Sequence, residues 1–168
     1  MHAAGESRTR FPASDASVGL REEKMDLNDC IEFVRRNPNG FLATIDGDRP
    51  RVRPMTVWDA DTSGFYFYTS KVKPLMSQLQ ACPKVEVAFY QPGTPPDMGV
   101  LLRIAGQIEI ADDMNVRRKL YAAMPWLKGI GTGTPDCPTI VVFRIATGQY
   151  NYWTWENNIK PGPWIPFP

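Results

Sequence analysis

Hydrophobic and polar residues alternate along several short segments of the chain, and this alternation predicts β-strands. In residues 84–90 the apolar side chains Val85, Val87 and Phe89 occupy every second position, as in a strand with one buried face. Turn-forming residues separate such segments, and Asp46-Gly47-Asp48 predicts a hairpin. The predicted strands cover residues 41–45, 49–58, 65–70, 84–90, 100–110 and 139–145.

Three segments repeat apolar residues at helical spacing instead. Leu27, Ile31 and Val34 follow Asp26, which can cap a helix. The other two helices are predicted at residues 74–82, where a proline suits the first turn, and from Asp112 or Asp113 to about residue 124. Because short turns join neighbouring strands, the sheet should be antiparallel, and six such strands can close into a barrel. The predicted fold is mainly β, with inserted helices.

The chain divides into three parts by composition. Its 168 residues favour one domain. Residues 1–24 are small, polar and charged without a period, which predicts a flexible N-terminal extension. Residues 25–152 carry the periodic pattern of the folded domain, and residues 153–168 form a tail rich in aromatic residues and proline.

Charge and residue usage exclude several classes of function. The net charge of +1, from 19 basic and 18 acidic residues, argues against a protein that coats nucleic acid. His2 is the only histidine, so the folded part lacks the base of a Ser-His-Asp or Cys-His hydrolase, and we expect no metal site. The cysteines Cys30, Cys82 and Cys137 show no C-x-x-C spacing, which is typical of reduced cytosolic thiols. No apolar run is long enough for a bilayer, so we expect a cytoplasmic protein without membrane contact.

The strand predicted at residues 49–58 carries charged and backbone groups that suit a flat cofactor. Arg51, Arg53 and Met55 share one face because side chains alternate along a strand. Pro54 cannot donate a ladder hydrogen bond, so this strand should lie at an edge or an interruption. Free backbone groups beside it would match the alternating donors and acceptors of a flavin pyrimidine edge.

The next strand ends in residues that suit a phosphate. Thr69 and Ser70 lie where the strand passes into a helix, and hydroxyls beside a helix N-terminus can hold phosphate oxygens. Arg53 and Lys73 would add positive charge. The alternative from spacing alone is a half-exposed hairpin with solvated charges.

Four ordered segments carry a resemblance to a known family: FLATIDGDRPRVRPM (41–55), FYFYTSKVKP (65–74), QLQACPKVEVAFY (78–90) and LLRIAGQIEI (101–110). Over roughly residues 25–152 the chain resembles the pyridoxamine 5'-phosphate oxidase-like family of FMN-binding split barrels, and in particular its short nitroimidazole-resistance-like members. The resemblance implies a homodimeric split β-barrel with FMN at the subunit interface. It implies that the flavin ring and ribityl chain contact Arg53, Pro54, Met55 and Thr56. It also places Tyr68 and Thr69 beside the flavin and gives the phosphate Ser70 and Lys73, with Arg51 and Lys71 as weaker candidates.

Three departures from the family limit what the resemblance implies. No arginine or histidine follows Arg144, so the Arg-x-His element of vitamin B6 oxidation is missing. A glutamine that often precedes the fifth strand is replaced by Val100 or Leu101, which leaves room for the deazaflavin F420. The histidine that lies near the flavin in nitroimidazole-resistance proteins is also missing, so nitroimidazole reduction is not expected.

The predicted function is that of an FMN-binding flavoprotein, an oxidoreductase acting on a small molecule that the sequence does not identify. No residue is assigned as a catalytic acid or base. The alternatives are an F420-binding reductase, a flavin carrier or electron-transfer module without enzymatic activity, and a β-barrel that binds nucleic acid. The near-neutral charge speaks against the last of these, and we expect no nucleic-acid partner.

Overall fold

The computed structural model describes residues 25–168, and the predicted extension of residues 1–24 lies outside this range. Within it, eight strands form one antiparallel sheet with three α-helices and a short 3-10 helix at Pro125–Gly129. The helices are α1 (Leu27–Arg36), α2 (Pro74–Ala81) and α3 (Met114–Ala123). The strands are β1 (Asn39–Asp46), β2 (Arg49–Thr56), β3 (Asp59–Asp61), β4 (Gly64–Ser70), β5 (Lys84–Gln91), β6 (Val100–Ile110), β7 (Ile140–Trp153) and β8 (Ile165–Phe167).

The mainly β, antiparallel prediction is confirmed, but the predicted number of six strands is wrong. The two additional strands are β3, which lies in a segment predicted as a turn, and β8, which lies in the predicted tail. Each has three residues, too few to show a period of two along the sequence. Strand β7 also continues to Trp153, past the predicted end at residue 145.

A two-residue connection forces the sheet to curve into a barrel. The strands follow the order β2-β1-β5-β6-β7-β4-β3, so β2 and β3 lie at opposite ends of the sheet. Only Val57 and Trp58 connect these two strands in the chain, a span of at most about 11 Å. The Val57 N–H donates to Pro38 O at 2.9 Å beside β1, and the Trp58 N–H donates to Tyr66 O at 3.0 Å on β4. The two ends of the sheet therefore lie close together, as in a split barrel.

The barrel interior is filled by apolar side chains from nearly every strand. Phe65 and Phe67 on β4 and Phe143 on β7 are fully buried, and the Phe67 and Phe143 rings stack with centroids 5.3 Å apart. Each such side chain contributes roughly 1.5–3 kcal/mol on burial. Helix α1 adds Cys30 and Val34 to the same cluster. The burial of this set holds the barrel together.

A second, smaller cluster covers the outer face of β4 and β7. Side chains alternate along β4, so Tyr66 faces this cluster while Phe65 faces the barrel core. Helix α3 supplies Leu120 and the 3-10 helix supplies Leu127, both fully buried. The buried guanidinium of Arg117 donates to three main-chain carbonyls and pairs with the carboxylate of Asp112 at 2.7 Å. These bonds fix the loop that leads into β7.

The C-terminal segment is packed on the barrel. Strand β8 pairs with β7, and the Phe167 ring lies edge-on to Phe65 with centroids 5.7 Å apart. The Asn151 side-chain amide donates to the carbonyls of Gly162 and Pro163 at 2.7 and 3.1 Å. None of the helices in residues 25–168 is long and apolar enough to cross a membrane.

Replacing Phe167 with alanine should lower the free energy of unfolding by about 3 kcal/mol, because it removes a buried ring from the core. Chemical denaturation followed by far-UV circular dichroism measures the change. Trp155→Ala in the same segment is the control, since the Trp155 side chain is 54% exposed. Equal stability of the two variants would show that the tail does not stabilise the barrel.

Candidate functional site

Helix α2 packs against both β1 and β4, which lie next to the two ends of the sheet. Pro74 begins the helix, where its fixed φ and missing N–H cost nothing. Leu75, Met76 and Leu79 are buried against the barrel. Helix α2 therefore covers the opening that the curved sheet leaves, and the segment that leads into it lies at the barrel surface.

Gln78, on the buried side of α2, connects the helix to β1 and β2. Its Oε1 accepts a hydrogen bond from Thr44 Oγ1 at 2.8 Å and another from Arg53 Nη2 at 2.7 Å. Arg53 Nη1 also donates to Thr44 Oγ1 at 2.5 Å and to Leu42 O at 3.4 Å. We call Thr44, Arg53 and Gln78 the buried polar triad. It is the direct polar link between α2 and the β1–β2 hairpin.

The predicted site residue Arg53 therefore points toward α2. Burial lowers the pKa of Arg53, and the positive charge of nearby Arg51 lowers it further, but an arginine with a lowered pKa stays protonated at neutral pH. Arg51 lies near the turn of the β1–β2 hairpin, where its half-exposed guanidinium pairs with Asp46 at 3.1 Å. Arg51 and Arg53 thus both have partners within the chain.

The remaining predicted residues of β2 have different exposures. Pro54 is exposed, while Met55 is half-buried and packs against the barrel core. Thr56 is half-buried, and its hydroxyl donates to Asn39 Oδ1 at 2.8 Å. Since β2 is the last strand of the sheet, its outer edge is not paired with another strand of the described chain. The edge beside Pro54 thus offers main-chain groups.

A cavity of about 480 Å³ lies where β4 passes into α2. It is lined by residues 71–74 together with Met76, Ser77 and Gln80. Lys71 and Lys73 are exposed, and neither forms an ion pair with a carboxylate among residues 25–168. The cavity therefore carries two positive charges without a negative partner in the described chain. We call it the lysine cavity.

The predicted residues of β4 divide between two faces of the sheet. Thr69 is buried on the inner side, whereas Tyr68 packs against the second cluster on the outer side. Ser70 is half-buried at the end of the strand, and its carbonyl accepts a hydrogen bond from the Lys73 N–H at 3.0 Å. The cavity thus takes in Lys71 and Lys73, whereas Ser70 is not among its lining residues and Tyr68 packs against the second cluster.

Four residues of this region were not predicted from the sequence: Thr44, Ser77, Gln78 and Gln80. One signal was available for Gln78. It follows Leu75 by three residues and precedes Leu79, so the helical period places this polar side chain on the buried face of α2. A polar residue on a buried face needs a partner, and Arg53 and Thr44 supply the donors.

The family of the chain is shown by its sequence. A family model described as pyridoxamine 5'-phosphate oxidase matches residues 29–154. The chain belongs to this family. No curated protein matches the chain significantly.

Solved structures of pyridoxamine 5'-phosphate oxidase-like proteins share the fold. A NimC/NimA family protein from Clostridium acetobutylicum is 23% identical, with a TM-score of 0.67 over 84% of this chain and 91% of that chain. A FAD-binding protein from Mesorhizobium loti is 19% identical, with a TM-score of 0.61 over 77% of this chain and 94% of that chain. General stress protein 26 from Bacillus anthracis is 19% identical, with a TM-score of 0.57 over 73% of this chain and 92% of that chain. At these identities the comparisons establish the architecture alone.

The residues at the lysine cavity fit the phosphate end of a flavin nucleotide. Two ammonium groups, the side chain of Ser77 and the positive end of α2 surround one space, and the ammonium groups and the helix end attract an anion. The outer edge of β2 offers main-chain groups of the kind that a flavin ring edge can bond. The side chain of Arg53 is already bonded within the triad.

Proposed function

We propose that this protein binds FMN non-covalently and acts as an oxidoreductase on a small molecule. The observation that carries the proposal is the lysine cavity, where Lys71 and Lys73 face a common space without a carboxylate partner in the described chain. Family membership supports the proposal, and so does the described flavin ligand of the Mesorhizobium loti protein.

The phosphate of FMN would be held at the lysine cavity. Lys71 and Lys73 supply positive charge there, and Ser77, whose hydroxyl donates to Pro74 O at 2.8 Å, lines the same space. Hydrogen bonds between charged partners are shorter and about twice as strong as neutral ones. The N-terminus of α2 adds its dipole to the same space. The phosphate would thus fix the end of the cofactor.

The flavin ring would lie along the outer edge of β2. Pro54 cannot donate there, so its carbonyl is left as an acceptor between the main-chain groups of Val52 and Thr56, which face the same edge. Bound FMN supplies the electron-transfer chemistry. The chain's own residues bind the cofactor, orient its ring and cover one side of it. Because Arg53 is bonded within the triad, its influence on the ring acts through the position of β2.

We infer that two copies of the chain pair through the outer face of the β1–β2 hairpin and β5. Phe41, Val52 and Tyr90 are 57%, 64% and 49% exposed on this face. Phe41 lies directly opposite Pro54 in the β1–β2 ladder and opposite Ala88 in the β1–β5 ladder, so the apolar surface is continuous across three strands. Contiguous apolar patches of this kind are typical of subunit interfaces. A second subunit here would adjoin the β2 edge and cover the flavin ring.

Replacing Lys71 and Lys73 together with glutamine should weaken FMN binding by about 100-fold, or roughly 3 kcal/mol, because the phosphate loses two charged partners. The affinity for riboflavin, which has no phosphate, should stay the same. Quenching of flavin fluorescence on titration measures both affinities, and native mass spectrometry of the wild-type protein distinguishes FMN from FAD and F420. The double variant Lys119→Gln with Lys128→Gln removes two exposed charges elsewhere and is the control. Wild-type protein without affinity for FMN would overturn the proposed function.

Replacing Val52 with glutamate should convert the dimer to a monomer, because it puts a charge in the centre of an apolar contact. Size-exclusion chromatography with light scattering reports the mass of the particle. Ile159→Glu is the control, since Ile159 is 90% exposed and lies between β7 and β8 in the chain. A wild-type monomer, or a variant that stays dimeric, would show that this face is not the interface.

A further inference from the structure

The buried polar triad lies between the two regions that would hold the two ends of the cofactor. Thr44 is 2% exposed and Gln78 is 6% exposed, so their polar atoms are shielded from water. Gln78 Oε1 accepts from both Thr44 and Arg53, and Arg53 also donates to Thr44. A buried polar group that loses its hydrogen-bond partner lowers the stability of the fold by about 1–3 kcal/mol. The three side chains therefore tolerate little change in their relative positions.

The triad determines where α2 stands relative to β2. Gln78 lies one helical turn after Pro74, and the lysine segment 71–73 comes directly before that proline. Apolar contacts of Leu75 and Leu79 hold the helix on the barrel but tolerate small shifts along its axis. The hydrogen bonds from Arg53 and Thr44 form only when α2 has one rotation about its axis and one position along that axis. The distance between Lys73 and the β2 edge is thereby set.

We propose that Gln78 and Thr44 are positioning residues. Through their bonds with Arg53 they fix the distance between the phosphate-holding lysines and the flavin-binding edge of β2. This inference rests on the proposed function and names the residues that make the two parts of that site act together. The ribityl chain joins the phosphate covalently to the ring and limits the distance between them, so a shift of α2 misplaces the lysines when the ring stays on β2. The triad would therefore set how much the phosphate adds to the affinity.

Gln78→Leu tests this role, because leucine keeps the volume and removes the acceptor. The measurement is the ratio of the dissociation constants of riboflavin and FMN, taken for the wild type and for the variant. We expect Gln78→Leu to lower this ratio at least tenfold while the affinity for riboflavin changes less than threefold. Gln78→Glu keeps an acceptor for both donors and should restore the ratio to within threefold of the wild-type value.

Asn151→Leu is the matched control. Asn151 is 3% exposed and bonded to the C-terminal segment, so this variant also removes a buried polar side chain but leaves α2 untouched. It should lower the melting temperature and keep the affinity ratio. Thr44→Val removes only one hydroxyl and serves if Gln78→Leu does not fold, with an expected loss of threefold or more in the ratio.

The outcomes separate the two proposals. If the wild type binds neither FMN nor riboflavin, the proposed function is wrong. If the wild type binds FMN and Gln78→Leu or Thr44→Val keeps the ratio while the melting temperature falls, the triad only stabilises the fold and the positioning role is wrong. A reduced ratio that Gln78→Glu does not restore would also contradict the positioning role.

Discussion

The connection through Val57 and Trp58 is the constraint on which the rest of the structure depends. It ties the first strand of the sheet order to the last, and two residues cannot span a flat sheet of seven strands. Curvature leaves an opening beside β1 and β4, and α2 fills it. The lysine segment enters α2 at this opening, so the closure of the barrel is also what brings positive charge near the edge of β2.

Strand alternation then distributes the chemistry between the two faces of β2. Met55 packs on the barrel core and Arg53 joins the triad, while Val52 and Pro54 are exposed on the other face. The guanidinium of Arg53 donates to neutral polar partners inside, whereas Lys71 and Lys73 have no carboxylate partner in the described residues. The inner arginine thus supports the structure, and the outer lysines are left for a ligand.

Local patterns predicted the longer strands and all three α-helices, because each spans enough residues to show its period. They could not predict β3 and β8, since a three-residue strand is defined by the neighbour it pairs with. In the candidate site, too, features with a local pattern were predicted and contacts between distant segments were not. Lys73 was predicted from local chemistry at a strand–helix junction and lines the cavity, whereas Ser70, predicted with it, is not among the lining residues. The partners of Arg53 were not predicted. Thr44 and Gln78 come from segments 34 residues apart, and only the curvature of the sheet brings them together.

The open edge of β2 is exposed to pairing with strands of other molecules, and the strand's own prolines oppose such pairing. An unpaired edge attracts other strands, and proline is tolerated at an edge where its nitrogen faces away from the neighbouring strand. Pro50 and Pro54 are four residues apart, so both nitrogens face the same side, and the continuous β1–β2 ladder requires that side to be the open edge. A further strand would lose two donors there, which disfavours pairing. A flavin edge needs only a few matched groups, so the same prolines that oppose strand addition leave room for a small planar ligand.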